Sequence, residues 1–300
     1  MKLIVKEYDI YNKKILDDIK ICLVADFHLS HISSDEKVKL VINDIKEKRP
    51  DYICICGDYI DCTNMLDDKS IYDKSILYLK ELSNIAKVIF TLGNHDITKM
   101  LKRRKHKFNI NKKWIHDISN IPNVIFLYNE IYQEKGIRFI GYVLPHKYYY
   151  DKKRENEDIL IESYKKYISN ASSNKLNILL CHSPMRIFND NVFNNIPSLK
   201  NMDIILSGPM HNGMLFNYMD KIWKGNIGFI GPHKKLFPSV SRGIKTKTID
   251  GKKINLIVTG GVTKVQELAP KIIRFADRLY NPQIDYINIK KNIKNYVKNK

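Results

Sequence analysis

Apolar residues along this chain form short runs that alternate with segments of helical spacing. Residues 21–25 are apolar throughout and end at Asp26. Residues 35–48 bring Val38, Ile42 and Ile45 round at intervals of three and four, and Pro50 stops them. That spacing predicts an amphipathic helix. Residues 52–56 form a second apolar run, closed by Gly57 and Asp58. Residues 71–86 are again helical in spacing, and 88–92 form a third run. Uninterrupted apolar strands separated by helices predict parallel pairing, with helices covering the sheet faces.

The rhythm changes after Pro122. Residues 124–128, 130–133 and 137–142 are short strand-like runs with close turns, so antiparallel pairing is expected among them. A charged helix is predicted around 156–169. Buried-type strands return at 177–181 and 202–207, and 256–259 and 284–289 close the pattern. The fold class is therefore α/β (α+β), a two-layer mixed β-sandwich flanked by helices. One domain is expected over residues 1–300, with excursions at 99–120 and 146–173.

Composition adds little to the fold but bears on partners. The 300 residues, 44% of them hydrophobic, suffice for a sizeable core. The net charge of +19 draws a chain toward anions such as phosphates, nucleic acids or anionic lipid surfaces. Lysine, isoleucine and asparagine are abundant everywhere, so the charge marks no single patch. Cys22, Cys54, Cys56, Cys62 and Cys181 are odd in number, form no CxxC pair and mostly sit in apolar runs. Reduced thiols in a cytoplasmic protein are expected. The N-terminal residues show neither a long apolar stretch nor a cleavage pattern, which predicts no signal peptide and no integral membrane span. Peripheral membrane association stays open.

Candidate chemistry collects where the apolar runs end. Asp26 and His28 follow the first, two apart and on one side of an extended segment. Gly57 and Asp58, with Asp61 beyond, follow the second. Gly93, Asn94, His95 and Asp96 follow the third. His182 follows the run at 177–181, and His211 lies in the Gly208–Gly213 stretch after the run at 202–207. Each motif alone reads as a turn, a helix cap or an ordinary histidine. Five in succession, each at a strand end, mark a ligand site.

The series D-x-H, G-D-x-x-D, G-N-H-D, an isolated histidine and a final G-x-x-H resembles the calcineurin-like metallophosphoesterase family. It covers residues 26 to 211, about two thirds of the chain, and the later segments are similar to its bacterial small phosphodiesterases. The resemblance implies the two-layer sandwich and a binuclear centre of divalent cations. On it, Asp26, His28 and His211 hold the first metal, Asp58 bridges both, and Asn94 and His182 hold the second. His95 donates a proton to the leaving oxygen, oriented by Asp96, and Asp61 supports the ligands from behind. Donors that are all oxygen and nitrogen favour manganese, iron, zinc or magnesium.

The chain departs from the family at Pro209, where a further histidine for the second metal is expected. Proline offers no donor, so the second metal is expected to be held more weakly. His233 is a substitute ligand to consider, with His31 and His146 behind it. The basic stretch Lys99, Lys102, Arg103, Arg104, Lys105 and Lys107, with His106 among them, either steers a phosphorylated substrate or is a solvated helix face. Tyr148, Tyr149 and Tyr150 stack on a base, line a groove or simply pack. The expected activity is metal-dependent hydrolysis of a phosphodiester or phosphomonoester. The substrate is then a phosphorylated small molecule, lipid or nucleotide. A nuclease, or a catalytically impaired phosphate- or metal-binding protein, is the alternative.

Overall fold

A computed structural model describes residues 1–102, 105–150, 157–168, 174–183, 194–208, 242–263, 267 and 280–291. The chain runs through β1 (Ile4–Tyr11), β2 (Ile19–Val24), α1 (Asp35–Lys48), β3 (Tyr52–Cys56), α2 (Lys69–Ser83) and β4 (Lys87–Thr91). A hairpin, β5 (Thr98–Leu101) and β6 (Lys105–Phe108), precedes α3 (Lys112–Ser119), β7 (Val124–Phe126), β8 (Ile131–Glu134) and β9 (Ile137–Tyr142). Then come α4 (His146–Tyr150), α5 (Glu157–Ile168), β10 (Leu176–Cys181), β11 (Ile204–Ser207), β12 (Gly243–Ile249), β13 (Lys252–Val258) and β14 (Gln283–Lys290).

Two six-stranded mixed sheets form, in the orders β1-β14-β2-β3-β4-β7 and β12-β13-β11-β10-β9-β8. Alternate residues of the central strands face opposite ways, so each strand feeds two cores. Ile21, Leu23, Cys54, Cys56 and Ile89 meet Phe139, Ile178, Leu180 and Leu206 between the sheets. Cys22, Val24, Ile53, Ile55 and Phe90 point outward against Val38, Ile42, Leu79 and Trp114 of α1, α2 and α3. On the far side, Ile140, Leu179, Cys181 and Ile205 pack on Leu160 and Tyr164 of α5. The expected sandwich flanked by helices is therefore present, as helices, sheet, sheet, helices.

α1 has the expected bounds. Ser34 caps its N-terminus by accepting from Lys37 N, Asp35 and Glu36 fill the first turn, and Arg49 ends it in the left-handed region. Asp68 caps α2 in the same way, through Ser70 N and Ile71 N.

The pairing expected after Pro122 needs correction. Only β8 and β9 are antiparallel neighbours. β7 instead runs parallel to β4 at the edge of the first sheet, because the chain crosses to the second sheet after Leu127. The expected helix face among the basic residues is also a strand hairpin. Thr98 pairs with Phe108 and Leu101 with Lys105. The hairpin is moored by its backbone: Asn64 Oδ1 accepts from Met100 N at 2.7 Å, and Thr63 Oγ1 donates to the Thr98 carbonyl at 3.2 Å. The excursion at 99–120 thus holds most of this hairpin and α3, and the one at 146–173 holds α4 and α5.

All five cysteines are buried and free. Among the described residues no helix is long and apolar enough to cross a membrane.

Candidate metal centre

The parallel strands β2, β3 and β4 of one sheet and β10 and β11 of the other end on the same edge of the sandwich. Asp26, Asp58 and Asn94 follow the first three, and His182 and Gly208 follow the last two. The loops after β2 and β3 are tied together: Asp26 N donates to Gly57 O, His28 N to Asp58 O and Leu29 N to Tyr59 O, at 3.0–3.1 Å.

Asp26 and His28 are on one side, but not along extended backbone as the sequence suggested. Asp26, His28 and Asp58 have φ of 55°, 42° and 52°, in the left-handed region. Non-glycine residues there carry strain of order 1–3 kcal/mol each, and such strain concentrates at functional sites. The inter-loop hydrogen bonds and a bond from Thr263 N to the Asp26 carbonyl at 2.8 Å hold them in place.

These loops approach closely. Gly57 has φ of 77°, and a Cβ there would lie 2.3 Å from Gly93 N. Only glycine allows the β3 and β4 loops to meet at this separation.

Among the described residues two donor groups emerge, and both contain Asp58. His28, Asp58 and His95 form one, and Asp26, Asp58 and His182 the other, with the donor atoms of each group within 4.8 Å of one another. His28 borders both, since its Nε2 lies 3.9 Å from Asp26 Oδ2 and 3.8 Å from Asp58 Oδ2. His182 Nε2 is 2.9 Å from Asp58 Oδ2. Asp26, His28, Asp58 and His182 are all buried.

Each imidazole has its other nitrogen fixed. His28 Nδ1 faces Asp61 Oδ1 at 3.2 Å, and His182 Nδ1 donates to the Cys56 carbonyl at 2.7 Å. His95 Nδ1 donates to the Asp61 carbonyl, while its backbone N–H donates to Asp58 Oδ1 at 2.9 Å. The outer nitrogen of a ligand histidine is normally engaged in this manner, which sets the tautomer and aims the inner one.

Asp96 is placed differently from the orienting role expected of it. Its carboxylate accepts from Ile60 N at 3.0 Å and Gly93 N at 2.8 Å. It therefore laces the Asp58 loop to the Asn94 loop, and the contact to the His95 ring comes from Asp61. Burial, together with the Asp58 charge, pushes the Asp96 carboxyl up to about 7.

The remaining sequence candidates are less central. Pro209, His211 and His233 lie outside the described residues. His31 is exposed and paired with Glu267 at 2.9 Å and Asp68 at 3.3 Å, outside both donor groups. His146 packs on the rings of Tyr150 and Phe108. Tyr148 is core. Tyr150, however, reaches the site: its hydroxyl accepts from Asn94 Nδ2 at 3.0 Å. That contact spans 56 residues, and no spacing rule signals it.

The calcineurin-like phosphoesterase profile matches residues 19–213, more than half of the chain. The chain belongs to this family. As a calcineurin-like phosphoesterase it is similar to an uncharacterized metallophosphoesterase of Helicobacter pylori, 25% identical over 71% of this chain and 50% of that protein. It is also similar to one of Campylobacter jejuni, 25% identical over 80% of this chain and 58% of that protein. The chain thus spans about half the length of the curated relatives it matches. A dimetal phosphatase from Danio rerio aligns over 82% of this chain and 88% of its own, at 10% identity and a TM-score of 0.45.

Family membership implies divalent cations, and the donor set fits them. Two buried carboxylates face three imidazoles, all hard or intermediate donors without a thiolate. Burial alone would lower the imidazoles, yet the Asp61 contact and the charges of Asp26 and Asp58 push His28 up to about 9, and Asp58 pushes His182 up to about 10. A pocket that draws protons this strongly is short of positive charge, which cations supply.

Gly208 makes a test of the site. A Cβ there would lie 2.5 Å from His182 Nδ1 and 2.9 Å from the Cys56 carbonyl, in the middle of the hydrogen bond that aims the ring. Gly208→Ala should therefore weaken cation binding about 10–100-fold with the fold intact. Calorimetric titration of the metal-stripped protein measures it. Unchanged affinity would mean that the loop, and not the ring, gives way.

Proposed function

We propose that this chain is a metal-dependent phosphoester hydrolase acting on a phosphodiester or phosphomonoester, and that residues 1–300 form one such domain. The observation that carries the reading is the pair of donor groups sharing Asp58. A carboxylate common to two sites is what a bridging ligand requires. Asp26 shares a donor group with His182 but also lies 3.9 Å from His28, which borders both groups; following the family pattern, Asp26, His28 and His211 hold one cation, and Asn94 and His182 the other. When bound, the two cations supply positive charge to the phosphoryl oxygens and acidity to a nucleophilic water. His95, with Nδ1–H given to the Asp61 carbonyl, turns Nε2 toward the leaving oxygen and, as the imidazolium, transfers its Nε2 proton there and is left neutral. Asp96 holds the two loops in register beneath it.

The substrate is a phosphorylated small molecule, lipid or nucleotide. Lys102, Lys105 and Lys107 are exposed on the hairpin that follows His95 and Asp96, a position from which they steer anions. The same exposed lysines favour a second reading, a nuclease. A phosphate-binding protein with an impaired site is a third outcome. Buried free cysteines support a reducing, cytoplasmic setting. Metal analysis with hydrolysis of bis-p-nitrophenyl phosphate in added manganese tests the enzyme. Cleavage of plasmid DNA would favour the nuclease, and bound metal without hydrolysis would favour the binding protein.

Pro209 leaves the second cation with Asp58, Asn94 and His182. Pro209→His should raise its affinity about tenfold or more and raise turnover with it. Unchanged metal stoichiometry and rate would show that position 209 does not face the cation.

A further inference from the structure

Asn94 can serve a cation only through one end of its amide. Oδ1 carries lone pairs, whereas Nδ2 carries two hydrogens and no pair to give. The torsion that exchanges them is soft, so the backbone alone does not decide which end faces the cations. In this structure Nδ2 donates to Tyr150 Oη at 3.0 Å. The Asn94 backbone is held separately, since Thr98 Oγ1 donates to its carbonyl.

We infer that Tyr150 is a positioning residue for the second cation: its hydroxyl binds the Nδ2 end of Asn94 and so presents Oδ1 to the metal. Tyr150 is itself held by aromatic contacts. The His106 ring stacks on it at 4.2 Å with planes 16° apart, and the His146 ring lies at 4.6 Å. His106 belongs to β6 of the basic hairpin, so the hairpin is in contact with a metal-ligand support. With position 209 offering no donor, the second cation depends more heavily on Asn94, and therefore on its orientation.

This inference rests on the binuclear reading above, and one titration series separates the two. Metal-stripped wild type, Tyr150→Phe, Asn94→Ala and the double variant are titrated with Mn²⁺ by calorimetry and by electron paramagnetic resonance. Phenylalanine keeps the ring stacked on His106 and removes only the hydroxyl, and thermal melting confirms the fold. Tyr150→Phe should weaken the second Mn²⁺ about tenfold, leave the first unchanged, and reduce the exchange-coupled signal at subsaturating metal. In the Asn94→Ala background the same change should do nothing further, because the amide through which Tyr150 acts is gone. Wild-type affinity in Tyr150→Phe, or penalties that add in the double variant, would overturn the inference while leaving the binuclear centre standing. A wild type that takes up fewer than two Mn²⁺ would remove the binuclear reading and this inference with it.

Discussion

Asp58→Asn should empty both cation sites and take phosphoester turnover below detection. Among the described residues the carboxylate is the one side chain present in both donor groups, and it also accepts the backbone N–H of His95 at 2.9 Å. Asparagine keeps the shape and removes the charge. Without that charge His182 loses its ion pair at 2.9 Å, and two cations lose their shared anion. The metal-free protein should change as well, with a sign that can be stated. Burial would raise the Asp58 carboxyl, but His182, His95 and His28 hold it below the usual carboxylate range. Its contribution is therefore present above about pH 4 and lost below. His28 and His182 are raised, to about 9 and about 10, so their contribution is complete below about pH 6.5 and lost as pH rises through those values. Asp96, pushed up to about 7, adds to the loss from about pH 4 upward, so metal-free wild type should melt highest near pH 4 and lose stability steadily toward pH 10, and added Mn²⁺ should restore it there. Breaking such a buried pair costs about 3–5 kcal/mol. Asp58→Asn should melt lower near that maximum, with a flatter alkaline limb and no response to Mn²⁺. A variant that still binds two cations would show that Asp58 is not the bridge.

The strand-end motifs were legible because the strands that carry them are buried on both faces. β2, β3, β4, β10 and β11 show as unbroken apolar runs, and the first polar residue after each run is where the chain leaves the sheet. The strands that escaped notice are at edges. β1 and β12 each have one well-exposed side, and Lys6, Glu7, Lys245 and Lys247 break their apolar pattern. Charged residues protect an edge from pairing with another chain, and in doing so they mask the strand. β5 and β6 were hidden by their charge for the same reason. β7 precedes β8 closely in sequence but pairs with β4, because proximity along the chain is not proximity in the sheet. At the site, residue types were legible and backbone was not. Nothing in Asp26-Phe27-His28 announces two left-handed residues, since that geometry is imposed by hydrogen bonds to the β3 loop. The hold of Asp61 on His95 and of Tyr150 on Asn94 comes from loops far apart in sequence, and only the folded chain brings them together.

His95→Ala should lower turnover about 10²–10⁴-fold while leaving metal content nearly intact. The two roles open to His95 predict opposite results. Its ring belongs to a donor group with His28 and Asp58, and lies edge-on to His28 at 4.8 Å, so geometry alone permits a ligand. Removing the ring alone separates the two roles. The contact with Asp58 comes from the backbone N–H, which alanine retains. The Asp61 carbonyl can only accept, so it fixes the hydrogen on Nδ1 and aims Nε2 into the site, where it coordinates as the neutral ring or gives up a proton as the imidazolium. The choice of substrate sharpens the test. A nitrophenolate departs readily without protonation, whereas an alkoxide does not, so the acid matters most for poor leaving groups. His95→Ala should therefore impair an alkyl phosphodiester far more than bis-p-nitrophenyl phosphate, at equal metal occupancy. Equal losses on the two substrates, or a variant purified without its metals, would make His95 a ligand and leave the leaving oxygen without its proton donor.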